Sequence, residues 1–260
     1  KREAQAAAKL HHTNIVAVHA IGEQDGHHFY AMDLIEGQSL DWVLQGIVAE
    51  GSHPLMEATV SQTASRVRPD STTSTPDKTE TSLSDTSSGG RKWFAAVAKL
   101  IAGAAGGLHY AHGRGIIHRD IKPANLLYIP KEGTLKISDF GVARMTDNNS
   151  TKTGIVLGTP MYMSPEQLGA EKLTGLSDLF SLGVTLYELL VGEVPFRATN
   201  IAVLMTKITT EDPAPVSSRR AGIPPSVDAV LAKAMAKRPS DRFSCGAEMA
   251  IALRNCARVS

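Results

Sequence analysis

The sequence predicts an α+β fold in which a small part with strands precedes a larger, mostly helical part. Two stretches near the N-terminus, 14–23 and 29–35, are rich in apolar and β-branched residues and flank a polar turn, as paired strands do. Beyond residue 92, apolar residues recur at helical spacing in several segments. With 260 residues the chain can bury a substantial core. We place the boundary between the two parts after residue 36, so that they span 1–36 and 37–260.

Before the large part, the chain shows two helical stretches and one region of unusual composition. Residues 1–10 are rich in alanine and favour a helix, and 39–45 favours a second, short one. Between 59 and 88, 16 of 30 residues are Ser or Thr, with few large apolar side chains. Such a stretch cannot bury enough surface to offset its ordering entropy. We predict a disordered insertion at about 51–91, which is either a solvated linker or a cluster of phosphoacceptor sites.

The large part is predicted to hold one strand pair among helices. A helix begins near Trp93 and ends near Gly113, a residue that suits a C-cap. The strands 125–129 and 135–140 flank a turn-rich segment, and a loop follows Gly141. We expect the next helix to have Ser177 as its N-cap and Gly192 just past its end. Further helices are predicted at 200–209, 226–237 and 244–254.

Composition excludes several classes of function. The net charge of +1 provides no field that would attract nucleic acid or an anionic membrane. Cys245 and Cys256 form no CxxC pair, and the nine histidines lack metal-site spacing. The most apolar window, 100–108, is too short to span a bilayer. We expect a cytoplasmic domain without a nucleic-acid partner. A membrane anchor outside these residues stays open, because the chain begins at Lys1 rather than Met and has the character of a fragment.

Four motifs carry the chemistry. They are HRDIKPAN at 118–125, DFG at 139–141, GTPMYMSPE at 158–166 and SDLFSLG at 177–183. In this order and at these separations they resemble the signature set of protein kinases. The segments REAQAAAKL, GEQDG and GTPMYMSPEQL resemble the bacterial eukaryotic-like Ser/Thr kinases in particular. The resemblance runs from Lys1 to about Val259, apart from the insertion.

The resemblance implies a bilobal kinase fold that uses ATP and Mg²⁺. Residues 1–36 would be a remnant of the small lobe. By resemblance, Asp120 accepts or orients the proton of the attacking hydroxyl, and Lys122 lies by the γ-phosphate. Asn125 and Asp139 would bind Mg²⁺, a cation that prefers oxygen ligands. Thr159 would bond toward the catalytic Asp and Lys, a feature of Ser/Thr kinases.

The resemblance also implies how adenine binds. Met32 falls at the gatekeeper position, the backbone of Asp33 and Ile35 would hydrogen-bond adenine, and Leu127 would lie beneath the ring. The sequence contains neither a Gly-rich loop nor a strand lysine for the phosphates. Glu3 matches the helix glutamate that pairs with that lysine. We therefore expect residues 1–260 by themselves to bind ATP poorly and to transfer phosphate weakly or not at all.

Other matched residues have regulatory or structural roles in the family. Arg119 precedes Asp120, as in kinases switched on by phosphorylation of the activation loop, and Thr151 and Thr153 resemble an autophosphorylation pair. The remaining roles are structural. They are an ion pair of Glu166 with Arg242, attachment of the catalytic loop by Asp178, and a hydrophobic column of His118, Phe140, Ala7 and Val18.

Three hypotheses about function follow. The first is an ATP-dependent Ser/Thr protein kinase that acts on protein substrates and on itself. The second is a pseudokinase, a scaffold or binding module that keeps the fold without catalysis. The third is an unrelated helical interaction protein, which would explain the helices but none of the motifs. Intact Asp120, Asn125 and Asp139 favour the first hypothesis over the second.

Overall fold

The computed structural model describes residues 10–24, 27–50, 83–140 and 160–259. The predicted helix at 1–10, most of the Ser/Thr-rich insertion and the loop after Gly141 lie largely or wholly outside these ranges. Within them, the mixture of strands and helices confirms the predicted α+β class.

The N-terminal sheet is a two-stranded antiparallel ribbon. Strands β1 (Val18–Gln24) and β2 (His27–Met32) pair as predicted, although both are shorter than the apolar stretches that indicated them. The segment before β1 connects the ribbon to the large part, because Val16 N–H donates to Ile137 O over 2.9 Å and Ile137 N–H donates to Asn14 O over 2.9 Å.

A second sheet lies in the large part. Its strands β3 (Gln38–Ser39), β4 (Leu126–Ile129) and β5 (Thr134–Ile137) are antiparallel in the order β3-β4-β5. This confirms the predicted strand pair, but β5 ends before the residues 138–140 that had been included in it. Asp139 has φ +62°, a left-handed conformation that no strand residue adopts, so the chain turns out of the sheet there.

Seven α-helices are described. They are α1 (Leu40–Glu50), α2 (Leu83–His112), α3 (Pro165–Leu168), α4 (Gly175–Val191), α5 (Ile201–Thr210), α6 (Ser226–Ala234) and α7 (Gly246–Val259). Short 3₁₀ turns lie at Pro123–Asn125, Pro160–Tyr162, Val216–Ser218 and Pro239–Asp241.

Helix α2 is the centre of the core. Its apolar face, including Trp93, Phe94, Val97 and Ile101, is fully buried, and α4 and α7 pack against it. The stretch Gly90–His112 is long and apolar enough to cross a membrane, but 61% of its most apolar window is buried inside the protein. Burial in a core explains the apolar character of this helix.

The N-terminal boundaries predicted for α2 and α4 were wrong. Helix α2 begins at Leu83, inside the range predicted as insertion, and Gly90 is already buried there. A side chain at Gly90 would collide with the backbone carbonyl of Ala221, so the helix backbone passes close to Ala221 at this glycine.

The second wrong boundary concerns α4. Its N-cap is Thr174, whose Oγ1 accepts from Leu176 N–H over 3.3 Å, and not Ser177. Ser177 lies in the first turn, where its buried hydroxyl donates to Glu166 instead. The C-terminus of α4 is as predicted, since Gly192 caps it with φ +88°.

Candidate active site

The loop between α2 and β4 is held in place by one buried carboxylate. Asp178, in the first turn of α4, accepts from His118 N–H over 2.9 Å and from Arg119 N–H over 2.8 Å. Its side chain is 1% exposed. Arg119 has φ +72°, a conformation that costs about 1 kcal/mol or more outside glycine and persists only where neighbours enforce it. The strained backbone therefore lies immediately before Asp120.

Asp120, Lys122 and Asn125 form one hydrogen-bonded cluster. Lys122 Nζ lies 2.7 Å from Asp120 Oδ2, and Asn125 Nδ2 donates to the same oxygen over 3.0 Å and to Asp120 O over 2.7 Å. The Asp120 side chain is 42% exposed, whereas Lys122 is 23% exposed. Lys122 and Asn125 thus fix one oxygen of the Asp120 carboxylate. The carboxylate remains accessible to a hydroxyl group that approaches from the solvent side.

Asp139 lies close to this cluster through Ser138. Ser138 N–H donates to Asn125 O over 3.0 Å, and its hydroxyl is 3.3 Å from Asp139 Oδ2. His118 Nε2 is 2.7 Å from Ser138 O, and the His118 ring meets Phe140 edge-on at 4.6 Å. The side chains predicted for Mg²⁺ therefore project from neighbouring chain segments.

The donor set suits Mg²⁺ bound together with phosphate. Asn125 uses its amide nitrogen on Asp120, which leaves the amide oxygen for a cation, and Asp139 is exposed. Among the described residues no group of three His, Cys, Asp or Glu could hold a metal ion. A cation at Asn125 and Asp139 would take its remaining ligands from phosphate and water, as Mg²⁺ commonly does.

A narrow cleft lies between the ribbon and Asp139. Its lining includes Val18, Tyr30, Met32, Asp139 and Phe140. Burial and, secondarily, the negative charge of Asp139 raise the pKa of Tyr30. The structure thus brings the predicted gatekeeper and the predicted metal ligand to the same cleft.

The other residues predicted to contact adenine do not all line this cleft. Asp33 N–H donates to Ala17 O over 3.0 Å, and Ile35 O accepts from Gly37 N–H over 3.0 Å. The carbonyl of Asp33 and the N–H of Ile35 are therefore the backbone groups left to meet a ligand. Leu127 is half-buried on β4 and is not among the residues that line the cleft.

Glu166 and Arg242 form a buried ion pair. Nη1 and Nη2 of Arg242 lie 2.7 and 2.8 Å from the two Glu166 oxygens, and the side chains are 0% and 3% exposed. Burial alone raises the pKa of Glu166, but hydrogen bonds from Arg242 and Ser177 outweigh it, so the net pKa is lowered. The guanidinium also donates to backbone carbonyls, so both charges are fully compensated.

Five predicted residues lie outside the described ranges, namely Glu3, Ala7, Thr151, Thr153 and Thr159. Conversely, sequence reasoning missed His112, whose Nε2 lies 2.7 Å from Asp178 Oδ2, and Gln167, which contacts the carbonyl of Arg119. Neither residue lies within the four motifs 118–125, 139–141, 158–166 and 177–183. Only its location six residues before His118 could have singled out His112.

An open cavity of about 390 Å³ borders the catalytic loop. It is lined by Asp41, Leu44, Gln45, Pro123, Tyr162, Glu188 and Gly192. Tyr162 donates its hydroxyl to Glu188 Oε2 over 2.7 Å, and burial raises the pKa of both groups. Asp41 Oδ1 is shielded from solvent and has no hydrogen-bond partner among the described residues. The described part of the lining carries two carboxyl groups and no basic side chain.

Comparison with known proteins agrees with this geometry. The family model described as "Protein kinase domain" matches residues 78–253. Serine/threonine-protein kinase pkn3 of Myxococcus xanthus is 34% identical over 253 residues, which cover 93% of this chain and 39% of that protein. Serine/threonine-protein kinase PknB of Mycolicibacterium smegmatis is 45% identical over 154 residues, or 58% of this chain and 24% of that protein.

The fold is also found among solved structures. The PknI kinase domain of Mycobacterium tuberculosis, as the C20A_R136A double mutant, aligns with a TM-score of 0.66 at 25% identity, covering 98% of this chain and 77% of that one. The chain spans about a quarter to two fifths of the length of the curated relatives that it matches. These relatives are bacterial Ser/Thr kinases, and the chain belongs to the protein kinase family.

Proposed function

We propose that this protein transfers the γ-phosphoryl group of ATP to Ser and Thr hydroxyls of protein substrates. The observation that carries the proposal is the Asp120 carboxylate, which is open to solvent on one side and held through Oδ2 by Lys122 and Asn125. Phosphoryl transfer requires alignment and charge neutralisation more than covalent chemistry. A carboxylate fixed in this way can align a hydroxyl for attack.

Each residue of the candidate site has its own proposed role in the transfer. Asp120 orients the attacking hydroxyl and accepts its proton, and Lys122 offsets negative charge that develops on the transferred group. Asn125 and Asp139 would hold Mg²⁺, which when bound neutralises phosphate charge. Met32 and the backbone of Asp33 and Ile35 would receive the adenine, with Leu127 as the proposed contact beneath the ring.

Regulation and location extend the proposal. We assign Thr151 and Thr153 as autophosphorylation sites whose phosphates Arg119 would meet, since phosphate adds about −1.5 to −2 charge and pairs with arginine. The kinase domain works in the cytoplasm, where ATP is available. No observation on the described residues favours a scaffold without catalysis.

The acidic cavity indicates one feature of the substrate. Pro123, three residues after Asp120, lines this cavity together with Asp41 and Glu188, so we propose that a peptide bound with its acceptor hydroxyl at Asp120 extends into the cavity. A Lys or Arg side chain fits there, because its methylenes meet Leu44 and its charge meets the carboxyl groups. We therefore propose protein substrates with a basic residue near the phosphoacceptor.

The first test removes the charge of Asp120. In the full-length product of the gene, Asp120→Asn should lower the rate of phosphoryl transfer from Mg-ATP on the order of 10²–10⁴-fold. The measurement is transfer of labelled phosphate to a general protein substrate. Asp241→Asn is the matched control, because Asp241 is exposed and bonds only Arg238 and Ser240 among the described contacts. An undiminished rate in Asp120→Asn would remove Asp120 from its role.

The second test concerns substrate choice. Peptides with and without a basic residue near the acceptor should differ in kcat/KM by roughly 10- to 150-fold, the size expected for one charge-assisted contact of about 1.5–3 kcal/mol. Asp41→Asn should reduce that difference while leaving turnover of the neutral peptide unchanged. Equal turnover of both peptides by the unsubstituted protein would contradict the proposed substrate class.

A further inference from the structure

Gln167, in the short helix α3, reaches the backbone next to the catalytic carboxylate. Its Nε2 donates to Arg119 O over 2.7 Å, although the two residues are 48 positions apart. Arg119 O belongs to the peptide unit that joins Arg119 to Asp120. The contact therefore acts on the one peptide bond that leads directly into Asp120.

The orientation of the Gln167 amide is set by its other end. Its Oε1 accepts from Ser164 N–H over 3.0 Å and lies 3.1 Å from Ser164 Oγ, which completes the capping box of α3. A capping box accepts either Glu or Gln at this position. Only Gln can accept from Ser164 and at the same time donate to a carbonyl, because a carboxylate has no N–H.

The same strained residue is held at both of its backbone groups. Asp178 accepts the N–H of Arg119 over 2.8 Å, while Gln167 donates to its C=O. With φ at +72°, Arg119 would relax if either contact were lost. Asp178 comes from α4 and Gln167 from α3, so two separate helices hold the backbone before Asp120.

We propose that Gln167 is a positioning residue that fixes the peptide before Asp120 and so couples helix α3 to the catalytic loop. Its effect on catalysis rests on the proposed function, whereas its effect on the backbone does not. Because α3 begins three residues after the 3₁₀ turn at Pro160–Tyr162, a shift of that turn can reach Asp120 through the Gln167 side chain.

The experiment compares two substitutions that separate the two ends of the amide. Gln167→Glu keeps the acceptor for Ser164 and replaces the donor to Arg119 O by a carboxylate oxygen, which also repels that carbonyl. Ser164→Ala is the matched control, since it removes the Ser164 hydroxyl and leaves the bond to Arg119. Both are made in the full-length protein, with Gln167→Met as a second donor-free variant should Gln167→Glu not fold.

Two measurements are made on each variant. Hydrogen exchange in a peptide covering 116–121 reports on the Arg119 and Asp120 amides, which bond Asp178 and His118. We expect exchange roughly tenfold faster in the donor-free variants and unchanged in Ser164→Ala. Steady-state kinetics should show kcat reduced roughly tenfold with KM for ATP unchanged, since loss of alignment acts on the chemical step.

The outcomes separate this inference from the proposed function. Unchanged exchange in the donor-free variants would overturn the positioning role whether or not the protein transfers phosphate. Faster exchange with unchanged kcat would overturn its catalytic consequence. If the unsubstituted protein shows no transfer at all, the proposed function fails, and the exchange data still decide whether Gln167 fixes this backbone.

Discussion

The catalytic loop and the N-terminal ribbon differ in how they are stabilised. The loop is held by the buried Asp178 of α4 and by Gln167 of α3, and α3 is in turn attached to the core by the buried Glu166–Arg242 pair. Among the strands that the structure describes, the two strands of the ribbon pair only with each other. Its apolar side chains Phe29 and Met32 are 48% and 41% exposed.

The comparison shows which of the two regions holds its functional groups in a fixed geometry. A two-stranded ribbon is marginally stable in water, whereas groups attached to a packed core keep their geometry. The residues proposed to align the hydroxyl therefore sit on the rigid side, and those proposed to contact adenine sit partly on the weaker side. Three substitutions test this difference.

The largest effect is expected at the buried ion pair. Glu166→Gln should lower the free energy of unfolding by about 3–5 kcal/mol, because it leaves Arg242 buried without its counter-charge. Denaturant titration measures this loss. Glu193→Gln is the control, since Glu193 pairs with Arg197 and Arg219 at the surface and such pairs contribute about 0–1 kcal/mol. Equal losses in the two variants would contradict the assigned difference.

The Glu166–Arg242 pair also makes the free energy of unfolding depend on pH. The pKa of Glu166 is lower in the folded state than its usual 4.5, so the unfolded chain binds the proton more readily. The stabilisation by this carboxylate is thus present above about pH 4.5 and is lost as the pH falls through the folded-state pKa. Glu166→Gln should lack this acid-side loss.

An intermediate, local effect is expected in the ribbon. Phe29 pairs with Gly22 across β1 and β2, and its ring lies over the glycine where a side chain would otherwise be. Phe29→Ala should cost about 0.2–1 kcal/mol of cross-strand packing. Hydrogen exchange should accelerate in 18–32 and stay unchanged in 93–112. Faster exchange in α2 would show that the ribbon and the core unfold together.

The third substitution tests a pH dependence at Lys237 that is confined to alkaline conditions. Burial lowers the pKa of this ammonium to about 8 from 10.5, while its Nζ donates to Ile208 O and lies 4.4 Å from the Phe196 ring centroid. Between about pH 8 and 10.5 the unfolded chain binds more protons, so the folded state gains stability as pH rises.

Lys237→Met should remove this rise and leave the remaining pH profile unchanged. The measurement is the unfolding midpoint from pH 7 to 11 for both proteins. Parallel profiles would contradict the lowered pKa.

The sequence was sufficient to identify the motifs but not to predict every contact between them. The resemblance to protein kinases implied a shared site for Asp120, Asn125 and Asp139, and in the structure Asn125 contacts Asp120 while Ser138 contacts both Asn125 and Asp139. The N-cap of α4 was misassigned because Ser177 suits a cap as well as Thr174 does. Only the position of Glu166 decides that the Ser177 hydroxyl points inward.

The sequence by itself determined the fold class, the strand pair β4–β5, the helices that carry amphipathic patterns and the family. Local propensity, periodicity and short motifs encode these features within a few residues of each other. Only the tertiary structure decided that Gln167 reaches the catalytic loop, that His112 contacts Asp178 beside that loop, and that two carboxyl groups border the adjacent cavity. Contacts between residues tens of positions apart depend on how helices pack, and packing leaves no periodic signal in the sequence.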